Sequence, residues 1–479
     1  MAKYQEELKA RIAEERAAIE LIKITSDLSF ERSIELTIFR NQLIDKRSSE
    51  ILNLHEYAKA FVEKPINILE TLEIAKAISE SDIAASKIDI GKLTFEWIKY
   101  NNSYENIRSF INEKLKFIED TSTTFLAKDV ILFGFGRIGR LLARELMSQK
   151  GKGEQLRLRV IVLRNIDDES IIKRASLLRT DSVHGKFPGT VVTDLENNAL
   201  IINGHSIQLI KASKPEEVDY TKYEINNALV IDNTGVYRDK EALSRHLRAK
   251  GVSKVLLTAP GNEIPNIVFG ANHLNYDINS NDIFSAASCT TNAITPILKV
   301  VNDNLGIVNG HIETIHAYTN DQNLVDNMHK KERRGRAAAL NMVITNTGAG
   351  KAVVKVIPEL EGKLTANAVR VPTPNGSLAI LNLTLQNPTN VNAINKIIKH
   401  AALEGELVEQ INYSLSNELV STDIVGNNAP AVFDSPATIS SKDGKSIILY
   451  VWYDNEYGYS RQVMRLAKYI SNVRRPMNY

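Results

Sequence analysis

Two hydrophobic periods divide the chain. In the first 124 residues apolar side chains recur at spacings compatible with one helical face. Leu8, Ile12, Ile19 and Ile22 do so in ELKARIAEERAAIELIKI, and Leu28, Ile34, Ile38 and Leu43 in LSFERSIELTIFRNQLI. That spacing predicts amphipathic helices. Glycine is absent before Gly91 and Pro65 is the only proline of the stretch, so an all-α extension is expected over residues 1–124, closed by the polar break Asp120 to Thr124 (DTSTT). Its charged faces read as solvated surface, with a partner-binding or oligomerising role as the alternative.

From Lys128 the pattern changes to short apolar runs punctuated by glycine, proline and asparagine. KDVILFGFGRIGRLLARELM reads as strand, glycine turn and helix, and LRLRVIVL, NALVIDNTG and SKVLLTAPG as further buried strands. Their alternation with helical stretches such as DKEALSRHLRAK predicts a parallel sheet covered on both faces. After Cys289 longer alternating strands, GHIETIHAYT and GSLAILNLTLQ, indicate a mixed or antiparallel sheet in a second domain. The expected fold is therefore α/β: a dinucleotide-binding domain over 125–287, completed by a C-terminal helix over 455–479, an α+β domain over 288–454, and the helical extension in front.

Composition narrows the class. At 479 residues the chain is longer than one core usually serves, and 43% hydrophobic with 24% charged residues is ordinary globular usage. A net charge of +2 singles out no nucleic-acid or lipid partner. One cysteine excludes an internal disulfide and an all-thiolate metal site and fits a reducing compartment. No apolar run approaches the ~18 residues of a membrane span, and the charged start lacks the apolar core of a signal peptide. A cytoplasmic protein is expected, with no membrane or nucleic-acid role and no metal.

Gly134-Phe135-Gly136-Arg137-Ile138-Gly139 fits G-x-G-x-x-G directly after a strand and at the start of a helix. The first glycine permits the tight turn, the second lets backbone approach a pyrophosphate, and the third lets helix and strand pack closely. The phosphates then face free N–H groups at the helix start. An NAD or NADP site follows, with Arg137 and Ile138 inside it. Choice between the coenzymes stays open: the next strand ends in Arg164 and Asn165, where Arg164 suits a 2′-phosphate, while Asp167, a little further on, suits the ribose hydroxyls of NAD.

The motifs GFGRIGR, NTGVY, TAPG, SAASCTTNAITP, IHAYTNDQ, RVPTPNGS and WYDNEYGYS, in this order over about residues 128–479, closely resemble the phosphorylating glyceraldehyde-3-phosphate dehydrogenases. The resemblance implies that Cys289 is the nucleophile and His316 its base. It implies that Thr319 and Arg370 hold the substrate phosphate, and that Ser288, Thr290, Thr347 and Gly348 hold inorganic phosphate. Arg334 is a further candidate there, unless ERRGR is merely a solvated basic loop. Asn455 would hydrogen-bond the nicotinamide carboxamide, Thr234 and Thr258 would lie along the coenzyme, and Tyr453 and Tyr459 would be packing residues. A thiolate suits the chemistry because an aldehyde yields a hydride only after a nucleophile has made it tetrahedral, and sulfur leaves an energy-rich thioester.

The expected reaction is oxidation of glyceraldehyde 3-phosphate with phosphate to 1,3-bisphosphoglycerate, in glycolysis or gluconeogenesis, by a homo-oligomer, tetramer or dimer. Erythrose-4-phosphate dehydrogenation is the alternative on the same scaffold. A catalytically silent scaffold or sensor working through its extension is an alternative of another kind. Two departures stand out. Ala293 occupies the place of the family's usual second cysteine, and Asn165 stands where an acid would indicate strict NAD use.

Overall fold

The computed structural model describes residues 2–119, 126–148 and 155–478, so the break at Asp120 to Thr124 and the boundary expected there lie outside the described residues. The chain forms two compact units. One comprises residues 1–127 with 149–155 and 473–479, and the other comprises 128–148 with 156–472.

The first unit holds α1 (Ala2–Arg32), β1 (Glu35–Ile38), β2 (Asn41–Gln42), α2 (Ser48–Tyr57), α3 (Ile68–Glu80), β3 (Lys87–Asp89), α4 (Ile90–Tyr100) and α5 (Ile107–Glu119). It is helix-rich, as the period required, and it also contains a small sheet that the period did not predict. β1 pairs antiparallel with β2 and parallel with β3, and residues Met477–Asn478 add a further parallel strand beside β3. The end of the chain, expected within the dinucleotide-binding domain, therefore belongs to this unit. Ile34, Ile38 and Leu43, spaced as a helical face, lie instead in and around the β1–β2 hairpin, each fully buried. In α1 the buried apolar side chains are Ala17, Ala18, Leu21 and Leu28, while Leu8, Ile12 and Ile19 are exposed. α1 packs on α2 and α3.

The hairpin turns on Phe39 and Arg40, both with positive φ (41° and 66°) although neither is glycine. The buried Asp89 carboxylate accepts their N–H groups at 2.9 and 2.7 Å and that of Lys92 at 3.0 Å, so one side chain holds the turn and caps α4. Gly91 follows, where a Cβ would stand 3.0 Å from the Phe39 nitrogen.

The second unit begins with β4 (Lys128–Phe133), α6 (Arg137–Ser148), β5 (Leu156–Leu163), α7 (Asp168–Arg179), the short pair β6 (Thr180–Asp181) and β7 (Gly185–Lys186), β8 (Val191–Asp194), β9 (Ala199–Ile202) and β10 (His205–Lys211). Next come β11 (Ala228–Asp232), α8 (Lys240–Leu247), β12 (Val252–Leu257) and β13 (Ile283–Ser285). An eight-stranded sheet runs β13-β12-β11-β4-β5-β10-β9-β8, parallel from β13 to β10. β11 is buried at every position, as a strand covered on both faces must be.

The α+β part follows with α9 (Cys289–Leu305), β14 (Ile307–Ala317), β15 (Val343–Thr345), α10 (Ala349–Val354), β16 (Leu364–Val371), β17 (Ser377–Leu385), α11 (Val391–Leu403), β18 (Ile411–Ser414), α12 (Ser421–Ile424), β19 (Ala431–Asp434), β20 (Ile439–Ser440) and β21 (Ser446–Tyr453). Its sheet runs β15-β16-β14-β17-β21-β19-β18, with β20 paired to β21. β21 alternates buried and half-buried positions, the mark of a sheet with one packed face. α13 (Tyr457–Ile470) then returns to pack on α6, with an Arg461–Glu145 ion pair between them. No helix among the described residues is long and apolar enough to cross a membrane.

Candidate active site

Cys289 opens α9, with Ser288 as N-cap accepting the Thr291 N–H at 3.0 Å. The preceding Ala287 sits at φ 54°, a left-handed angle unusual for an L-residue. The Tyr459 hydroxyl donates to its carbonyl at 2.9 Å, and its own N–H donates to Ser285 Oγ at 3.0 Å. This turn lifts the thiol onto the end of a 17-residue helix, where the axial dipole favours an anion.

His316 lies near the end of β14, buried, with Nε2 3.7 Å from Cys289 Sγ. Parallel pairing of β14 with β16 sets Arg370 directly opposite His316. Arg370 Nη1 stands 2.5 Å from His316 Nδ1 and donates to the Ala317 carbonyl at 2.8 Å, and its buried Nε has no partner among the described residues. Burial and then the Arg370 charge push the His316 pKa down to about 3. Burial pushes the Cys289 thiol up, while Arg370 and the Thr290 hydroxyl pull it down. The site is thus neutral at its centre with one strong cation beside it, an arrangement suited to an anionic ligand.

The remaining anion-site candidates surround this pair unevenly. Thr290 is buried and hydrogen-bonded to Tyr453 Oη at 3.1 Å, so Tyr453 and Tyr459, expected as packing residues, both bond to the active-site turn. Thr319 is half-buried in the loop after β14, where its carbonyl accepts the Gln322 N–H. Thr347 and Gly348 follow β15, the strand beside the one carrying Arg370, and a Cβ on Gly348 would meet open space. Arg334 is buried, ion-paired with Asp321 and donating to Thr345 Oγ1 at 3.0 Å, so this arginine is no solvated loop cation. Its Nε and Nη1 are held by these two partners. Ala293 is buried inside α9.

The glycine turn fits a dinucleotide. Gly134 has φ +95°, and a Cβ there would press on Thr234. A Cβ on Gly139 would stand 2.7 Å from the Gly134 carbonyl, whereas Gly136 faces open space where a pyrophosphate needs it. Arg137 and Ile138 begin α6 and present backbone N–H groups. The Arg137 side chain is turned away to Asp181 and Glu456. Thr234 and Thr258 are fixed by Asp232, Thr234 through the carboxylate and Thr258 through the carbonyl, and His246 meets the same buried carboxylate at 2.9 Å. Asn455, buried, accepts from Ser377 Oγ at 3.0 Å, and its N–H donates to Asn375. At the end of β5 Arg164 is exposed, while Asp167 is the N-cap of α7, accepting from Ser170 at 2.8 Å and from the Asn165 side chain.

Asp181, His184 and Glu456 were not singled out from the sequence. They lie far along the chain from Arg137, and only the residue number of Glu456, next to Asn455, gave a hint of them.

Comparison with known proteins agrees with this geometry. The glyceraldehyde 3-phosphate dehydrogenase NAD-binding domain matches residues 128–240, and the C-terminal domain of the same enzymes matches 288–455. A glyceraldehyde-3-phosphate dehydrogenase-like protein of Pseudomonas aeruginosa is 47% identical over 95% of this chain and 99% of its own length. Glyceraldehyde-3-phosphate dehydrogenase 2 of Nostoc is 41% identical over 71% of this chain and 98% of its own. Glyceraldehyde-3-phosphate dehydrogenase 1 of Bacillus subtilis is 40% identical over 72% and 99%. The first of these shares the extension, to judge by its coverage, and the domain models begin only at Lys128. With both domain models matched in chain order, and the Cys289–His316 pair inside the second, the chain belongs to the glyceraldehyde 3-phosphate dehydrogenase family of NAD(P)-dependent oxidoreductases.

Proposed function

We propose that this chain oxidises glyceraldehyde 3-phosphate with inorganic phosphate and NAD(P) to 1,3-bisphosphoglycerate. The observation that carries the reading is Cys289 Sγ at 3.7 Å from His316 Nε2 with the Arg370 guanidinium alongside. Cys289 Sγ attacks the aldehyde carbon while His316 Nε2 takes a proton. A substrate phosphate that draws Arg370 onto itself removes the positive charge from Nδ1. Nδ1–H then donates to the Ala317 carbonyl, 2.7 Å away, and Nε2 is left as the acceptor. The chemistry that bound NAD(P) supplies is acceptance of a hydride. Asn455, the glycine turn, Thr234 and Thr258 are the residues that would hold it. Inorganic phosphate then displaces Cys289 from the thioester, with Thr347, Gly348 and the Ser288–Thr290 turn as its seat.

Coenzyme choice is read from the end of β5. Both Asp167 oxygens are engaged by Ser170 and Asn165, which favours Arg164 as the adenosine-side contact and NADP as an accepted coenzyme. A homo-oligomer is supported by Leu324, Val325, Met328, Leu340, Met342 and Ile344, all strongly exposed in one segment of the catalytic domain.

The test is initial-rate reduction of NAD and of NADP with glyceraldehyde 3-phosphate, with and without phosphate, and with erythrose 4-phosphate as the competing substrate. Phosphate-dependent turnover of the triose, abolished in Cys289→Ser, is expected. Faster turnover of the tetrose would replace the substrate, and no turnover with either would leave a scaffold.

A further inference from the structure

Next to Asn455 lies an ion cluster that the reaction outlined above does not use. Glu456 is largely buried, and its carboxylate receives Arg137 through both Nε and Nη2, and His184 Nε2 at 3.0 Å. The same Arg137 guanidinium forks onto Asp181 at 3.2 and 3.3 Å, and Arg140 Nη2 stands 3.9 Å from that carboxylate. Asp181 in turn accepts the N–H groups of Val183 and His184 at 2.9 and 3.0 Å, which folds the loop between β6 and β7 around itself. Burial works to raise the Glu456 carboxyl, and the Arg137 and His184 bonds outweigh it, so Glu456 is held below the usual carboxylate range.

Three distant chain segments therefore converge on one carboxylate. Arg137 belongs to the glycine turn, Asp181 and His184 to the loop after α7, and Glu456 adjoins the asparagine at the start of α13. The backbone at 455–457 is fixed from the other side as well. Asp454 accepts the N–H groups of Glu456, Tyr457 and Gly426 and the Asn375 amide, and Asn375 receives the Asn455 N–H. The N–H groups of Asn455, Glu456 and Tyr457 are thus all engaged, and the charged link from this stretch to the glycine turn among these bonds is Glu456–Arg137.

We propose that the Arg137–Asp181–His184–Glu456 cluster is a positioning brace that fixes Asn455 relative to the glycine turn, so that the face of the nicotinamide ring offered to substrate is set partly by side chains touching neither ring nor substrate. This rests on the reading of Asn455 as the carboxamide partner. A fork-to-carboxylate pair suits the task because its planar bidentate geometry resists rotation as well as separation.

The experiment uses the full chain and its variants Glu456→Gln, His184→Gln and Asn455→Ala. Each is assayed for coenzyme and aldehyde KM and kcat. Deuterium transferred from glyceraldehyde 3-phosphate deuterated at C1 is located on C4 of the reduced coenzyme by NMR. The brace predicts that Glu456→Gln and His184→Gln raise coenzyme KM by about tenfold, the effect of one misplaced hydrogen bond. They should also place measurable deuterium on the second C4 face and leave both the aldehyde KM and the alkylation rate of Cys289 near those of the parent. His184→Gln leaves the Arg137–Asp181 fork in place, so it remains informative if Glu456→Gln folds poorly. Single-face transfer and parental coenzyme KM in both, alongside an impaired Asn455→Ala, overturn the brace. Parental behaviour in Asn455→Ala itself overturns the coenzyme reading on which it rests.

Discussion

Ala287 shows how a single residue prepares this site. Its left-handed backbone costs about 1–2 kcal/mol for an L-residue, and Tyr459 and Ser285 hold it there with hydrogen bonds. Tyr459→Phe removes one of those bonds and leaves the ring, so kcat should fall by roughly tenfold with little change in either KM. An unchanged kcat would detach Tyr459 from catalysis. His316 gives a pH signature of its own. Its folded pKa of about 3 lies below the 6.5 of an ordinary histidine, so between those values the unfolded chain binds more protons and stability falls as pH drops from 6.5 towards 3. Urea melts of His316→Asn across that window should show a shallower acid slope than the parent, and an equal slope would assign the acid sensitivity to other groups. For Arg164, replacement by Ala should lower kcat/KM for NADP by about tenfold or more and spare NAD, as measured by parallel initial rates. Equal losses with both coenzymes would remove it from the 2′-phosphate. Cys289, His316 and the glycines were legible as candidates because each sits in a short motif. Glu456, His184 and Asp181 were not, because an ion cluster built from three segments leaves no local period.

At the scale of elements, agreement is closest where strands are buried on both faces or alternate cleanly. LRLRVIVL forms β5 and GSLAILNLTLQ contains β17, within a residue or two of the spans their patterns marked out. It is poorest at the β1–β2 hairpin. That turn carries no Asn-Gly or Asp-Gly signal, and its two positive-φ residues are held by Asp89, which follows them by about 50 residues. Asp89→Ala should strand three N–H donors at once and destabilise the first unit by roughly 2–4 kcal/mol, read as an earlier urea transition of the full chain. A transition at the parental urea concentration would mean that the hairpin stands without its cap. The strand at Met477–Asn478 invites a similar test. Deleting residues 477–479 leaves the β3 edge unpaired and should lower the melting temperature of that unit, while turnover at Cys289 persists.

At the scale of the molecule, the C-terminal residues 473–478 group with the extension and not with the helix that precedes them. A chain begun at Leu126 would keep the dehydrogenase but leave the tail without the sheet it completes. Oligomerisation is expected through the exposed apolar segment at 324–344, and Leu340→Asp with Met342→Asp should reduce the mass measured by light scattering. An unchanged mass would move the interface elsewhere. The sequence by itself determined the class of the two dehydrogenase domains, the glycine turn and the motifs that carry Cys289 and His316, since periodicity and short motifs are local properties of the chain. Only the tertiary structure decided that the extension contains a sheet completed by the C-terminus, that Arg334 is buried beside Asp321 and Thr345, and that Arg137, Asp181, His184 and Glu456 converge beside Asn455. Those features depend on pairings between residues distant in sequence, whose energies exist only once burial has brought the partners together.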